Sequence, residues 1–470
     1  MSRGVNMQSY DLLVIGSGPA GRRAAVQAAK LGKSVLVVDK GRRLGGVSVN
    51  TGTIPSKTLR ETVLNLSGWR ERGFYGRSYR VKQDISADDL VQRLHKTLDH
   101  EVEVLEQQFL RNGVKNTHAM AKFTGTNSVT LTTDAGEVSE VGFSFAMIAV
   151  GTTPFRPSSI PFDSDRVFDS DEIVELTRLP RSLTVIGGGV IGVEYATIFS
   201  ALDVPVTLIE TKDTILDFVD KELVEDFIHE MRDRGIVIRF GSTVKDVTVE
   251  ADKVKITLTD GRSVRSDFVL YAAGRSGNVG SLGLETIGVV PDSRGRITVN
   301  PKTFQTTQPN IYAAGDVIGF PSLASTSLEQ GRMAACHAFG ITLPPMPDTF
   351  PYGIYSVPEI STVGLSEEQV RAAGTPYECG IARFRETSRG HIMGVESGFL
   401  KLIFALDTRR LLGAHIVGEG ATELIHIGQA VINLHGTVDY FVENAFNYPT
   451  LAEAYKIAGL DAWNRMGASV

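Results

Sequence analysis

The hydrophobic pattern opens with a continuous apolar run, Leu12 to Ile15, that enters the spacing Gly16-x-Gly18-x-x-Gly21. It passes through an alanine-rich stretch and returns as "SVLVVD", ending on Asp39. A short apolar run, a glycine turn and a longer helical stretch predict strand, turn, helix and strand, with both strands buried in a parallel sheet. The pattern then recurs. "RSLTVIGGGVIGVEYATIFSALDVPVTLIE" carries Gly187, Gly189, Gly192 and Glu210, and both glycine turn and terminal acid are displaced by the same 171 residues. Three shorter apolar runs, "MIAVGTTP", "LYAAGRSGN" and "IYAAGDVIG", each reach a glycine and place Gly151, Gly274 with Arg275, and Asp316 at strand ends. Between the two units, "ISADDLVQRLHKTLDHEVEVLEQQFLRNG" has apolar residues at 90, 94, 98, 105 and 109 behind Ser86, which predicts a long amphipathic helix. The proline-rich stretch 341–353 reads as a linker, and the alternating runs beyond it predict an α+β unit with no glycine fingerprint.

The expected fold is therefore α/β, with two Rossmann-like dinucleotide-binding domains and a C-terminal α+β domain. Residues 1–155 and 280–347 are expected to form the first domain, 156–279 the second and 348–470 the third.

Length agrees, since 470 residues exceed the roughly 250–300 at which one core stops growing. A net charge of −6 gives no basic footprint for nucleic acid or an anionic membrane. No apolar run approaches the ~18 residues of a membrane span, and no apolar leader segment precedes the first strand, so a cytoplasmic enzyme is expected. Two cysteines, Cys336 and Cys379, offer neither a disulfide framework nor a metal cluster, and read as small apolar residues. His415, His426 and His435 lack metal-ligand spacing and read as structural.

In each glycine unit the residue types have separate tasks. The first glycine permits the tight turn, the second lets backbone approach a pyrophosphate, and the third lets helix pack on strand. The helix N-terminus then faces phosphate, and the terminal acid accepts from ribose hydroxyls. One such fingerprint is weak; two in register imply two dinucleotides.

The stretch "GGVSVNTGTIPSK" (45–57) poses the chemical question. Together with both fingerprints, "YAAGD" and the C-terminal unit, it resembles the flavoprotein family of glutathione reductase and dihydrolipoamide dehydrogenase over nearly the whole chain. The resemblance implies FAD at the first fingerprint, a nicotinamide dinucleotide at the second, and dimerisation through the third domain. It assigns FAD contacts to Gly16, Gly18, Gly21, Asp39, Gly46, Ser48, Thr53, Gly151, Asp316 and Ala324, with Gly187, Gly189, Gly192, Glu210, Lys212, Gly274 and Arg275 completing the cofactor set. Family members carry two cysteines in the loop, where this chain has Ser48 and Thr53. They also carry His-Pro followed by Glu near the C-terminus, where "FNYPTLAEAY" has Tyr448 and retains Glu453. Thiol–disulfide exchange needs a thiolate and a resolving thiol, and a phenol with pKa near 10 replaces imidazole poorly as a base. Disulfide reduction is excluded. What the resemblance leaves is hydride exchange between nicotinamide and flavin, with Lys57 and Glu194 paired beside flavin N5 and Tyr448 reaching across from the partner subunit.

The loop and the stretches "GDVIGFPSLAS" and "GIYSVPEIS" most resemble one subgroup, the soluble FAD-containing pyridine nucleotide transhydrogenases. The implied reaction passes hydride from NADPH through FAD to NAD+, with NAD(H) and NADP(H) taking turns at one site. Glu210 favours a ribose 2′-hydroxyl, and Lys212 is the nearby cation for a 2′-phosphate; NADP-specific relatives place arginines where Thr211 and Asp217 stand here. Two alternatives remain open at this level: an NAD(P)H:acceptor reductase acting on quinones or dyes, and a non-catalytic FAD-bearing redox sensor.

Overall fold

The computed structural model describes residues 7–162 and 165–467. By its contacts the chain divides into two compact units, one of residues 1–58, 91–155 and 274–346, the other of residues 59–90, 156–273 and 347–470.

The first unit is built on a seven-stranded sheet whose parallel part places Lys115–His118, Val35–Asp39, Gln8–Ile15 and Val138–Ile148 side by side. Ile311–Ala313, far along the chain, adds a parallel strand against Ala146–Ile148. Antiparallel Ser128–Thr132 and Met120–Gly125 extend the other edge. Alternate side chains of the central strand divide between two cores, Leu13 and Ile15 on one face and Leu12 and Val14 on the other. The second face is covered by helices Pro19–Lys30 and Ala324–Ala338. They meet so closely that a Cβ on Gly331 would lie 2.1 Å from the Ala20 carbonyl oxygen. The amphipathic helix forms as Ala87–Arg111 with all five anticipated apolar residues buried. Ser86 closes its start by a reciprocal cap: the Asp89 N–H donates to Ser86 Oγ and the Asp89 carboxylate accepts from the Ser86 N–H.

In the second unit Val237–Arg239, Val206–Ile209, Leu183–Ile186, Phe268–Tyr271 and Val167–Asp169 form a parallel sheet in that order. A three-stranded antiparallel sheet, 244–266, shares a core with it through Ile209, Val254 and Ile256. The C-terminal part is a five-stranded antiparallel sheet covered by helices Ala421–Asn433 and Glu453–Gly467. One buried cation ties this sheet to the nucleotide-type fold. Lys401, in the fully buried strand Phe399–Ala405, reaches Asp220 at 3.1 Å and Glu222 at 2.9 Å from the other segment, and Glu367 from its own. A lysine this deep requires such partners.

Candidate functional site

The two glycine turns are near copies in three dimensions. Gly16 and Gly187 have φ of 103° and 110°, in the region that favours glycine. A Cβ on Gly21 would stand 1.9 Å from the Gly16 carbonyl oxygen, and one on Gly192 the same distance from that of Gly187. By contrast, nothing lies within 4 Å of the Cβ position of Gly18 or Gly189. The outer glycines are sealed by backbone and the middle one faces open space, which fits a pyrophosphate seated at the start of each helix, Pro19–Lys30 and Val190–Ala201.

Each acid ties its strand end to its turn. Asp39 Oδ2 accepts from the Ser17 N–H at 2.7 Å and Oδ1 from the Gly41 N–H at 2.8 Å. Glu210 Oε2 accepts from the Gly188 N–H at 2.6 Å and Oε1 from the Lys212 N–H at 2.8 Å. Both carboxylates are thereby held at the strand end where a ribose would lie. Lys212 Nζ bonds Asp217 at 2.5 Å, in a pair with both side chains more than half exposed.

The flavin-type loop packs directly on the first turn, a Cβ on Gly46 meeting Gly18 Cα at 2.9 Å. Ser48, on the short helix Gly46–Asn50, donates its hydroxyl to the Gly45 carbonyl, so its side chain serves the backbone where a thiol would have served exchange. Thr53 opens the helix Thr53–Leu66, with Pro55 in the first turn, where a missing N–H leaves no gap. Lys57 follows on that helix and donates to Ser56 Oγ at 3.2 Å.

At the same strand ends, beyond Ile148, Gly151 has positive φ, as has Gly274, and Thr152–Pro154 pairs with Arg275–Gly277. Arg275 donates to the Thr152 hydroxyl and carbonyl, each at 2.9 Å. Asp316 starts a short turn after the Ile311–Ala313 strand. Burial raises its carboxyl above the usual range, with Arg275 opposing. A carboxylate short of donors at this point fits the hydroxyls of a ribityl chain. Ala324 begins the helix that covers the sheet.

Glu194 is 3% exposed, and its Oε1 accepts from the Tyr355 N–H at 2.9 Å. Sequence reasoning identified Glu194 but missed the 355–359 segment that holds it; the stretch "GIYSVPEIS" carried a likeness without a mechanism. It also missed Arg60, whose only signal was an arginine beside Leu59 and Val63 on a buried helix face.

Tyr448 is 74% exposed within the chain and shares a hydroxyl–hydroxyl hydrogen bond with Ser388. Glu453, the acid that the family sets behind a histidine, accepts from the Ser388 N–H at 3.0 Å. Burial pushes the Cys379 thiol up to about 12 and raises that of Cys336, so neither is a ready thiolate at neutral pH. His415 is buried with Nε2 against the Leu365 carbonyl, and its pKa is lowered by burial. No group of metal-ligating side chains occurs among the described residues.

Comparison with known proteins agrees with this geometry. The family model of pyridine nucleotide-disulphide oxidoreductases matches residues 10–331, and that of their dimerisation domain matches residues 350–458. A soluble pyridine nucleotide transhydrogenase of Mycobacterium bovis is 48% identical over 98% of this chain and 99% of its own. One of Serratia proteamaculans is 40% identical over 97% and 98%. Among solved structures, LpdA from Mycobacterium tuberculosis superposes with a TM-score of 0.88 at 26% identity, covering 97% of this chain and 99% of that one. The HOCl-induced flavoprotein disulfide reductase RclA from Escherichia coli gives 0.87 at 24%, covering 96% and 99%, a likeness of fold. The chain belongs to the pyridine nucleotide-disulphide oxidoreductase family, in the part of it populated by these transhydrogenases.

Proposed function

We propose that this chain passes hydride from NADPH to NAD+ by way of bound FAD, both nicotinamides using the site built on Gly187–Gly192 in turn. The observation that carries the reading is a flavin loop intact in its packing but with serine and threonine at the thiol positions. Electrons that enter from a nicotinamide have no dithiol to continue to, so another nicotinamide is the outlet. The names of the full-length relatives support the same reaction.

FAD supplies the two-electron store, taking hydride and yielding it again. The residues supply the rest. The Gly18 turn and its helix N-terminus hold pyrophosphate, Asp39 holds ribose, and Asp316 accepts from the ribityl chain. Lys57 and Glu194 are each assigned to the hydride step, in which an ammonium would favour electron density arriving from the nicotinamide. Tyr448 closes the flavin face from the partner subunit of a homodimer. No described helix is long and apolar enough to cross a membrane.

The test is an anaerobic titration. NADPH should bleach the flavin absorbance, and NAD+ added next should restore it with appearance of NADH. Restoration by a quinone but not by NAD+ would instead establish an acceptor reductase, and no bleaching at all would leave only an FAD-bearing sensor.

Nucleotide choice follows from the acid–lysine arrangement. Glu210 suits a 2′-hydroxyl, while Lys212 is free to leave Asp217 for a 2′-phosphate, because an exposed ion pair is worth only about 0–1 kcal/mol. Lys212→Ala is expected to raise KM for NADPH about tenfold, the loss of one charge-assisted hydrogen bond, with little change for NADH. Equal changes for both in steady-state assays would remove Lys212 from the specificity site.

A further inference from the structure

The segment Tyr355 to Val357 is held by side chains from three distant stretches of its own unit. The Tyr355 N–H donates to Glu194 at 2.9 Å and the Val357 N–H to Thr197 Oγ1 at 3.0 Å. The Ser356 carbonyl accepts from Arg60 Nε at 2.9 Å, and the Val357 carbonyl accepts from Arg234. Two of these bonds go to one helix, Val190–Ala201, so the segment is pinned to the helix that carries Glu194.

Arg60 is the unusual member. It is 1% exposed, and a guanidinium stays charged at any pH the protein meets, so its burial demands compensation. Nη1 bonds Glu61 at 2.8 Å, while Nη2 lies 3.2 Å from Glu359 without hydrogen-bond geometry. Glu359 is itself fixed, accepting from the Thr422 N–H at 3.0 Å and hydroxyl at 2.8 Å. A leucine would fill the same space without the charge. What the charge adds is a hold on both ends of a four-residue stretch, a hydrogen bond to the Ser356 carbonyl and an ion pair with the Glu359 carboxylate, next to the N–H that orients Glu194.

We propose that Arg60 is a positioning residue for hydride transfer: by fixing residues 356 and 359 it sets the Tyr355 N–H that aims the Glu194 carboxylate. This rests on the role given to Glu194 above. The helix that carries Arg60 is also the one that carries Lys57.

The test is a double-mutant cycle in the full-length holoenzyme, with the rate of flavin bleaching by saturating NADPH measured per bound FAD. Arg60→Met should slow that rate about tenfold or more, since displacement of a reacting group by ~1 Å can cost ~100-fold. Half-saturation by NADPH should not change. Arg60→Lys, which keeps the charge but loses the fork, should fall between. In a Glu194→Gln background, either Arg60 substitution should add little, because its route of action is already removed. The proposal is overturned if Arg60 substitutions slow both backgrounds by the same factor, or if the rate per flavin is unchanged and only thermal stability falls. Should Arg60→Met fail to fold, Arg60→Lys carries the cycle alone. A wild-type enzyme that bleaches with NADPH but does not pass hydride to NAD+ would defeat the transhydrogenase reading and leave this test intact.

Discussion

Glu194→Gln is expected to slow flavin reduction by NADPH on the order of 100-fold while FAD stays bound, the magnitude typical of removing one preorganised electrostatic contact from a closed site. The substitution keeps shape, and the amide oxygen can still accept from the Tyr355 N–H, so packing around the Val190–Ala201 helix should survive. What disappears is the negative charge of a carboxylate that is 3% exposed and is proposed to act in the hydride step. Stopped-flow bleaching against NADPH concentration separates the cases. A fall in limiting rate with half-saturation unchanged assigns Glu194 to the hydride step, whereas a rate close to wild type would make it a structural acid.

Gly21→Ala and Gly192→Ala should split the protein's two cofactor functions cleanly. In either place the new methyl would fall 1.9 Å from a carbonyl oxygen of the turn's first glycine. No rotamer or side-chain motion relieves a clash with backbone, so the turn has to open and the pyrophosphate cradle with it. Gly21→Ala is expected to purify without FAD. Gly192→Ala should keep its FAD and be bleached by dithionite, yet show no reduction by NADPH or NADH at concentrations that saturate the wild type. Loss of FAD from the second variant, or normal NADPH reduction in it, would mean that the turns do not serve separate dinucleotides.

The parts of the fold that were legible in the sequence are those whose cause is local. A glycine turn needs its three glycines wherever it occurs, and the Ala87–Arg111 helix writes its buried face at a spacing fixed by 3.6 residues per turn. The absent thiols were equally plain, because chemistry forbidden by residue type needs no coordinates. What stayed hidden depends on partners far along the chain. Arg60 finds its carbonyl at Ser356 and its second acid at Glu359, about 300 residues later, and its neighbours Leu59 and Val63 mark a buried face without pointing to those partners. Lys401 sits in a strand that reads as apolar with one charge, and its partners Asp220, Glu222 and Glu367 all lie on other stretches of the chain. The three-stranded sheet at 244–266 was not anticipated, although Val254, Ile256 and Leu258 alternate with Lys255 and Thr257 as a half-buried strand does.

Glu453 bears on how readily this specialisation could be undone. Its carboxylate accepts from the Ser388 N–H, and Tyr448 spends its hydroxyl on the same serine. The two places that would form an imidazole–carboxylate dyad are therefore each bonded to a third residue and not to one another. Reinstating cysteines at 48 and 53 and histidine at 448 would restore the letters of a disulfide reductase without a proton relay behind them. The backbone around Ser388 would first have to give up its acid. Disulfide chemistry is thus shut off at several places at once: each single substitution is of little use until the others are present, and Glu453, bonded to Ser388, is one of those places.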